Sequence, residues 1–250
     1  LARIHRLDIA LQADGLGRRA QRLVVLDVDS TLIQDEVVEL LADEAGCGDE
    51  VRDITTRAMA GELDFEESLR ARVALLEGLG PDDLARARDR MRLSPGARTF
   101  VRTLRRLGFK IAIVSGGFTY FTDHLRIELD LDHAHANELE FGPDGRLTGR
   151  VTGPVVDKAR KAELLRKVAH LEGVTAEQTV AVGDGANDLD MLAAAGLGIA
   201  YNAKPLVRDA ADTSLSVPYL DAILFVLGVR RADVEAADEA AGTLTDNPPV

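Results

Sequence analysis

The chain has 250 residues, 46% of them apolar, a single cysteine and a formal net charge of −12. That is enough apolar material for one large domain, or a core with a smaller unit. The acidic balance argues against nucleic acid as the main partner, and no apolar run approaches the roughly 18 residues of a membrane span. The lone Cys47, flanked by Gly46 and Gly48, cannot form an internal disulfide, in keeping with a reducing cytoplasm.

The first 22 residues hold five arginines and no continuous apolar stretch, so no secretory signal is read there. A start at Leu1 is expected of a processed chain or of a piece of a longer protein. Residues 22–26 form an apolar run that ends in Asp27, the pattern of a buried parallel strand. The next such run, 110–114, begins about 80 residues later, far beyond the 10–12 that a simple crossover needs. Helical patterns fill the gap over 35–45, 49–60, 64–77 and 81–91. Pro81 followed by Asp82 and Asp83 marks one helix start. This insertion is expected to cap a site.

An amphipathic helix over 95–107 precedes the second strand, and one over 158–171 precedes a third at 179–182. Shorter strands are expected at 197–200 and 213–217, and Gly-Pro-Asp-Gly at 142–145 marks a hairpin within 138–151. From Ala232 onward there are five acids and no Lys or Arg, the composition of a disordered, solvated tail. Strands alternating with helices imply an α/β fold: a Rossmann-like parallel sheet with helices on both faces. Ligands of such sheets bind at the carboxyl ends of the strands.

Polar motifs stand at those ends. Asp27-Val28-Asp29-Ser30-Thr31 follows the first strand, with residues two apart on one face. Two carboxylates there attract a cation, and magnesium prefers oxygen ligands. One could attack phosphorus while the other carries the proton; a pair of helix-capping aspartates reads equally well from these residues alone. Ser115-Gly116-Gly117 offers a hydroxyl and backbone amides to phosphoryl oxygens, or simply a flexible turn. Lys161 could neutralise a phosphate or sit on a solvated helix face. After the third strand, Asp184 is placed to ligate magnesium, Asp188 to support the metal shell, and Asn187 to donate to a phosphate oxygen. His133 and His135 share a strand face and are read as packing. All these motifs fall in order on one edge of one sheet, which favours function over coincidence.

The motifs DVDSTLIQDE at 27–36, AGELDFEESLRARV at 60–73, SGGF at 115–118 and AVGDGANDLDML at 181–192 resemble phosphoserine-hydrolysing members of the haloacid dehalogenase superfamily. The resemblance spans about residues 22–228. It implies that Asp27 forms an aspartyl phosphate and that Asp29 is the general acid and base. One Mg2+ per site would be held by Asp27, Asp184 and the backbone carbonyl of Asp29. Ser115, Gly116 and Lys161 would hold the phosphoryl group, with Asn187 and, less directly, Gly117 beside them. In the cap, Glu36 would take the ammonium of phosphoserine and Arg72 its carboxylate, with Phe65 and Met59 as apolar walls. The implied divisions are 22–35 with 96–228 as catalytic core, 36–95 as helical cap, and 232–250 as the tail. Residues 1–21 would be the trailing end of an upstream regulatory domain, and self-association stays open. Three other readings are transfer of the phosphoryl group to an alcohol such as homoserine, another phosphate monoester as substrate, and a signalling receiver. The last is disfavoured by Asp29 and by the large cap.

Overall fold

The computed structural model describes residues 8, 10, 21–59 and 61–243, without the side chain of Met59. Seven strands form one sheet: β1 (Leu23–Leu26), β2 (Lys110–Phe118), β3 (His133–Phe141), β4 (Leu147–Thr152), β5 (Thr179–Gly183), β6 (Leu197–Tyr201) and β7 (Thr213–Leu215). Their order is β4-β3-β2-β1-β5-β6-β7, parallel except for β4, which closes an antiparallel hairpin with β3. The first strand thus lies between the second and third long runs of the sequence, with Leu26 opposite Ile113 on one side and Val182 on the other.

Strand β1 shows why both faces are covered. Successive side chains alternate across a strand. Val24 and Leu26 join the larger core, and Leu23 and Val25 join the second. All four are fully buried, and each such burial contributes about 1.5–3 kcal/mol.

Between β1 and β2 lie α1 (Val37–Ala45), α2 (Gly48–Met59), α3 (Phe65–Ala74) and α4 (Pro81–Asp89). Asp64 caps α3 by accepting from Glu67 N–H at 2.8 Å, while Glu67 returns the bond at 2.9 Å. The chain enters and leaves this helical unit along two paired stretches. Ile33 bridges Leu93, Gln34 N–H donates to Arg92 O at 2.9 Å, and the Asp35 carboxylate accepts both the Arg92 backbone N–H and its guanidinium. Helices α5 (Ala97–Arg106) and α6 (Thr119–Glu128) pack into the larger core. The second core is covered by α7 (Lys158–Leu171), α8 (Leu189–Ala194) and α9 (Pro205–Ala210). Helix α10 (Ala222–Val226) completes the catalytic part of the chain.

The acidic stretch expected to be a disordered tail is in part a helix, α11 (Arg231–Ala240). Val234 and Ala237, three apart, turn one apolar face inward. Asp238 is buried in an ion pair with Arg102 of α5, to which its Oδ1 is also held by Nε–H at 2.8 Å. Residues 244–250 and most of 1–20 lie outside the described residues. Among the described residues no helix is long and apolar enough to cross a membrane.

Candidate active site

The alternation of β1 carries past its last residue. Asp27 follows Leu23 and Val25 in parity and so falls on the face covered by α7. There Asp27 Oδ1 lies 2.7 Å from Lys161 Nζ and accepts the Val28 N–H at 2.7 Å. Oδ2 is left without a hydrogen-bond partner among the described residues. Lys161 is fully buried and also holds Asp188 Oδ1 at 2.7 Å. One ammonium therefore serves two buried carboxylates. The balance shows in Asp27: burial holds its carboxyl well above the usual carboxylate range, repulsion from Asp188 adds to this, and Lys161 only partly offsets it.

Asp29 does not continue the strand. The backbone enters a tight turn over Val28–Leu32, in which Asp29 is extended and Ser30 is left-handed at φ 56. That conformation costs a non-glycine residue about 1–3 kcal/mol. The turn, rather than strand alternation, brings the second carboxylate to the site. Asp29 Oδ1 accepts the Val37 N–H at 2.7 Å at the start of α1, and Oδ2 accepts from Ser115 Oγ at 3.1 Å. Its carboxylate is thus held between the cap junction and β2. Burial raises the Asp29 carboxyl above its ordinary value despite these donors.

At the end of β2, Ser115 Oγ accepts the Gly117 N–H at 2.7 Å. The carbonyl of the same Gly116–Gly117 peptide accepts from Asn137 Nδ2 at 2.8 Å, and Asn137 Oδ1 accepts the Val156 N–H at 2.8 Å. The peptide is held from both sides. Space is tight at both glycines: a Cβ on Gly116 would come within 3.1 Å of Phe65 Cζ, and one on Gly117 within 3.0 Å of Asp29 Oδ2, so the neighbouring side chain would have to shift. Asn137 is a functional candidate that sequence reasoning missed; a lone amide in a strand carries no spacing signal.

After β5, the carboxyl of Asp184 is pushed up to about 6 by burial and then by Asp188. It accepts from Thr31 Oγ1 at 3.0 Å. Asp27, Asp184 and Asp188 bring carboxylate oxygens within 4.8 Å of one another. This all-oxygen donor set, with more negative charge than Lys161 can neutralise, fits a hard divalent cation such as magnesium.

The site opens into a cavity of about 820 Å³ between core and cap. Asp27, Asp29, Asp184, Gly116, Gly117 and Asn187 line it from the core, and Glu36, Phe65 and Arg72 from the cap side. Ser30 Oγ donates to Glu36 Oε1 at 2.8 Å. Glu36 is exposed to the cleft, yet the cleft walls strip much of the water from its carboxyl. With repulsion from Asp29 this pushes it up to about 7. Arg72 is half-buried, its Nε donating to Ser68 O at 3.2 Å. Ser115, Lys161 and Asp188 stand behind the cavity wall rather than on it: Ser115 donates to Asp29, Lys161 holds Asp27 and Asp188, and Asp188 also accepts the Gly185 N–H at 2.9 Å. The side chain of Met59 lies outside the described residues. His133 is engaged by Glu172 Oε1 at 2.6 Å, away from this cluster.

The family profile described as haloacid dehalogenase-like hydrolase matches residues 24–193. A phosphoserine phosphatase of Streptomyces coelicolor is 62% identical over 97% of this chain and 59% of its own length. Phosphoserine phosphatase SerB2 of Mycobacterium tuberculosis is 57% identical over 93% and 56%. The chain therefore spans less than two thirds of the length of these curated relatives. A solved phospho-aspartyl intermediate analogue of phosphoserine phosphatase superposes with a TM-score of 0.77 at 43% identity, over 82% of this chain and 98% of that one. Profile, relatives and sheet topology agree that the chain belongs to the haloacid dehalogenase-like hydrolase family.

Proposed function

We propose that this chain hydrolyses O-phospho-L-serine to L-serine and phosphate, with one magnesium ion held by Asp27, Asp184 and the backbone carbonyl of Asp29. The observation that carries the reading is the state of Asp27. One oxygen is fixed by the Val28 N–H and Lys161, the other has no partner among the described residues, and the residue opens on the cavity. Asp27 Oδ2 forms a bond to phosphorus as the bond from phosphorus to the serine oxygen breaks. The raised carboxyl of Asp29 supplies the proton that this leaving alkoxide needs. In the second half-reaction water attacks phosphorus, Asp29 takes up its proton, and the bond to Asp27 breaks. Bound magnesium would supply charge neutralisation for Asp27 and the phosphoryl oxygens.

The backbone at Gly116 and the side-chain amide of Asn187 line the cavity and are suited to phosphoryl oxygens. Glu36 and Arg72 match the ammonium and carboxylate of phosphoserine, and Phe65 closes the cleft over Gly116. The names of the similar proteins support the same substrate. Serine biosynthesis in the cytoplasm is the corresponding setting. Phosphate release should be measured from phosphoserine, phosphothreonine, phosphoethanolamine and sugar phosphates, with and without magnesium. A clear preference for phosphoserine, metal dependence and loss of turnover in Asp27→Asn are expected. Equal rates across the substrates overturn the substrate assignment, and full activity in chelator overturns the metal.

A further inference from the structure

The cavity has an electrostatic problem. Among the described residues five carboxylates line it against two cationic side chains, Arg72 and Lys204; the proposed magnesium would offset part of that excess without reversing its sign, and the chain as a whole is strongly acidic. Phosphoserine, with its dianionic phosphate, must approach through that field. Lys161 is fully buried behind Asp27 and spends its charge on two aspartates. Arg72 is half-buried within the cap. Lys204 differs from both. It is exposed at the cavity, and its ammonium has neither ion pair nor hydrogen bond among the described residues.

Its placement is built by the fold. Strand β6 lies in register beside β5, Gly183 opposite Ala200, so the loop after β6 runs beside the Asp184 loop. Asn202 turns that loop in the left-handed region at φ 47, and its N–H is pinned to Leu215 O at 2.8 Å. Pro205 then starts α9 directly after Lys204. The backbone is held on both sides while the side chain stays free.

We infer that Lys204 is an anion-steering residue. It draws the phosphate dianion of the substrate into the acid-lined cleft and takes no part in the chemical step. The inference deepens the phosphatase reading and rests on it. A cation several ångströms from a dianion in wet surroundings changes its local concentration about five- to tenfold at low salt. The charge acts alike on bound substrate and transition state, so it changes kcat/KM and leaves kcat in place.

The test compares wild type, Lys204→Met and Lys204→Glu with Lys167→Met, an exposed lysine of α7 that controls for net charge. Each is assayed on phosphoserine and on p-nitrophenyl phosphate from low salt to about 1 M, where screening reaches about 3 Å. Lys204→Met should lower kcat/KM about five- to tenfold at low salt on both substrates, Lys204→Glu by roughly the square of that factor. The variants should converge with wild type at high salt. Binding of inorganic phosphate, followed by calorimetry, repeats the comparison without turnover. The inference is overturned if Lys204→Met stays within twofold of wild type, if its loss is independent of salt, if the loss falls on kcat, or if Lys167→Met matches it. If wild type ignores phosphoserine while the salt-dependent difference persists on the aryl phosphate and inorganic phosphate, the substrate reading fails and the steering role stands.

Discussion

Replacing Lys161 with Met isolates the charge at the centre of the site. The thioether keeps most of the stem's packing volume and removes the ammonium. Lys161 is fully buried and lies 2.7 Å from both Asp27 and Asp188. Breaking a buried pair from one side costs about 3–5 kcal/mol, because the remaining charge has neither water nor partner. Against a total stability of about 5–15 kcal/mol, that corresponds to a fall in Tm of about 6–20 °C for a protein of this size. The loss depends on pH. Asp27 already sits above the usual carboxylate range through burial and Asp188, with Lys161 pulling it down; without Lys161 it rises further. A carboxyl with a raised folded-state pKa gives stability that is present below its unfolded value, near 3.9, and is lost as pH rises through the folded value. The deficit of Lys161→Met should therefore be largest at pH 8 and shrink toward pH 5. Denaturant unfolding of the metal-free protein at pH 5, 6, 7 and 8 measures it. A difference below about 1 kcal/mol at pH 8, or one that grows on acidification, refutes the reasoning.

Magnesium should raise the Tm of wild type by mass action, and Asp184→Asn should lose most of that increment in a thermal scan. The KM for phosphoserine should rise as pH falls through about 7, where Glu36 takes up a proton; Glu36→Gln should show a higher KM with that dependence flattened. Arg72→Ala should cost about 1.5–3 kcal/mol of phosphoserine kcat/KM, the value of a charge-assisted bond, and far less with p-nitrophenyl phosphate. Equal losses on both would remove its carboxylate role. Asn137→Ala should destabilise the chain by about 1–3 kcal/mol by leaving Gly116 O and Val156 N–H without a partner, and should lower kcat more than it raises KM.

What could be read in advance follows physical locality. Strands β1, β2 and β5 begin within a residue of their sequence positions, because runs buried on both faces leave a continuous apolar signature. The motifs at their ends are contiguous, so Asp27, Asp184 and Gly116 meet once the strands are ordered. The missing features depend on contacts distant in sequence or on backbone shape. The left-handed Ser30 is coded by no residue preference, and it decides where Asp29 points. The burial of Asp238 depends on Arg102, 136 residues earlier, so composition alone made α11 look like tail. Asn137 matters only through two backbone partners, one on each side of it in space.

The paired stretches around Gln34 and Arg92 fix how the cap can move and how it can change. The chain leaves the sheet and returns to it at neighbouring points, joined by backbone bonds and by the Asp35–Arg92 pair. The four helices beyond that junction are pinned a second time, where Gly78 N–H donates to Leu147 O at 2.9 Å and Leu147 N–H to Leu79 O at 2.8 Å, so any tilt of the cap must carry the β3–β4 hairpin with it or break those bonds. That hairpin contact aside, the cap is an insertion between two neighbouring points of the core. A helical unit of different size or lining could replace it between the same two anchor points, while Asp27 kept its place against Lys161. On the proposed reading, chemistry and choice of substrate lie in two parts of one chain that meet at residues 33–35 and 92–94 and at the β3–β4 hairpin.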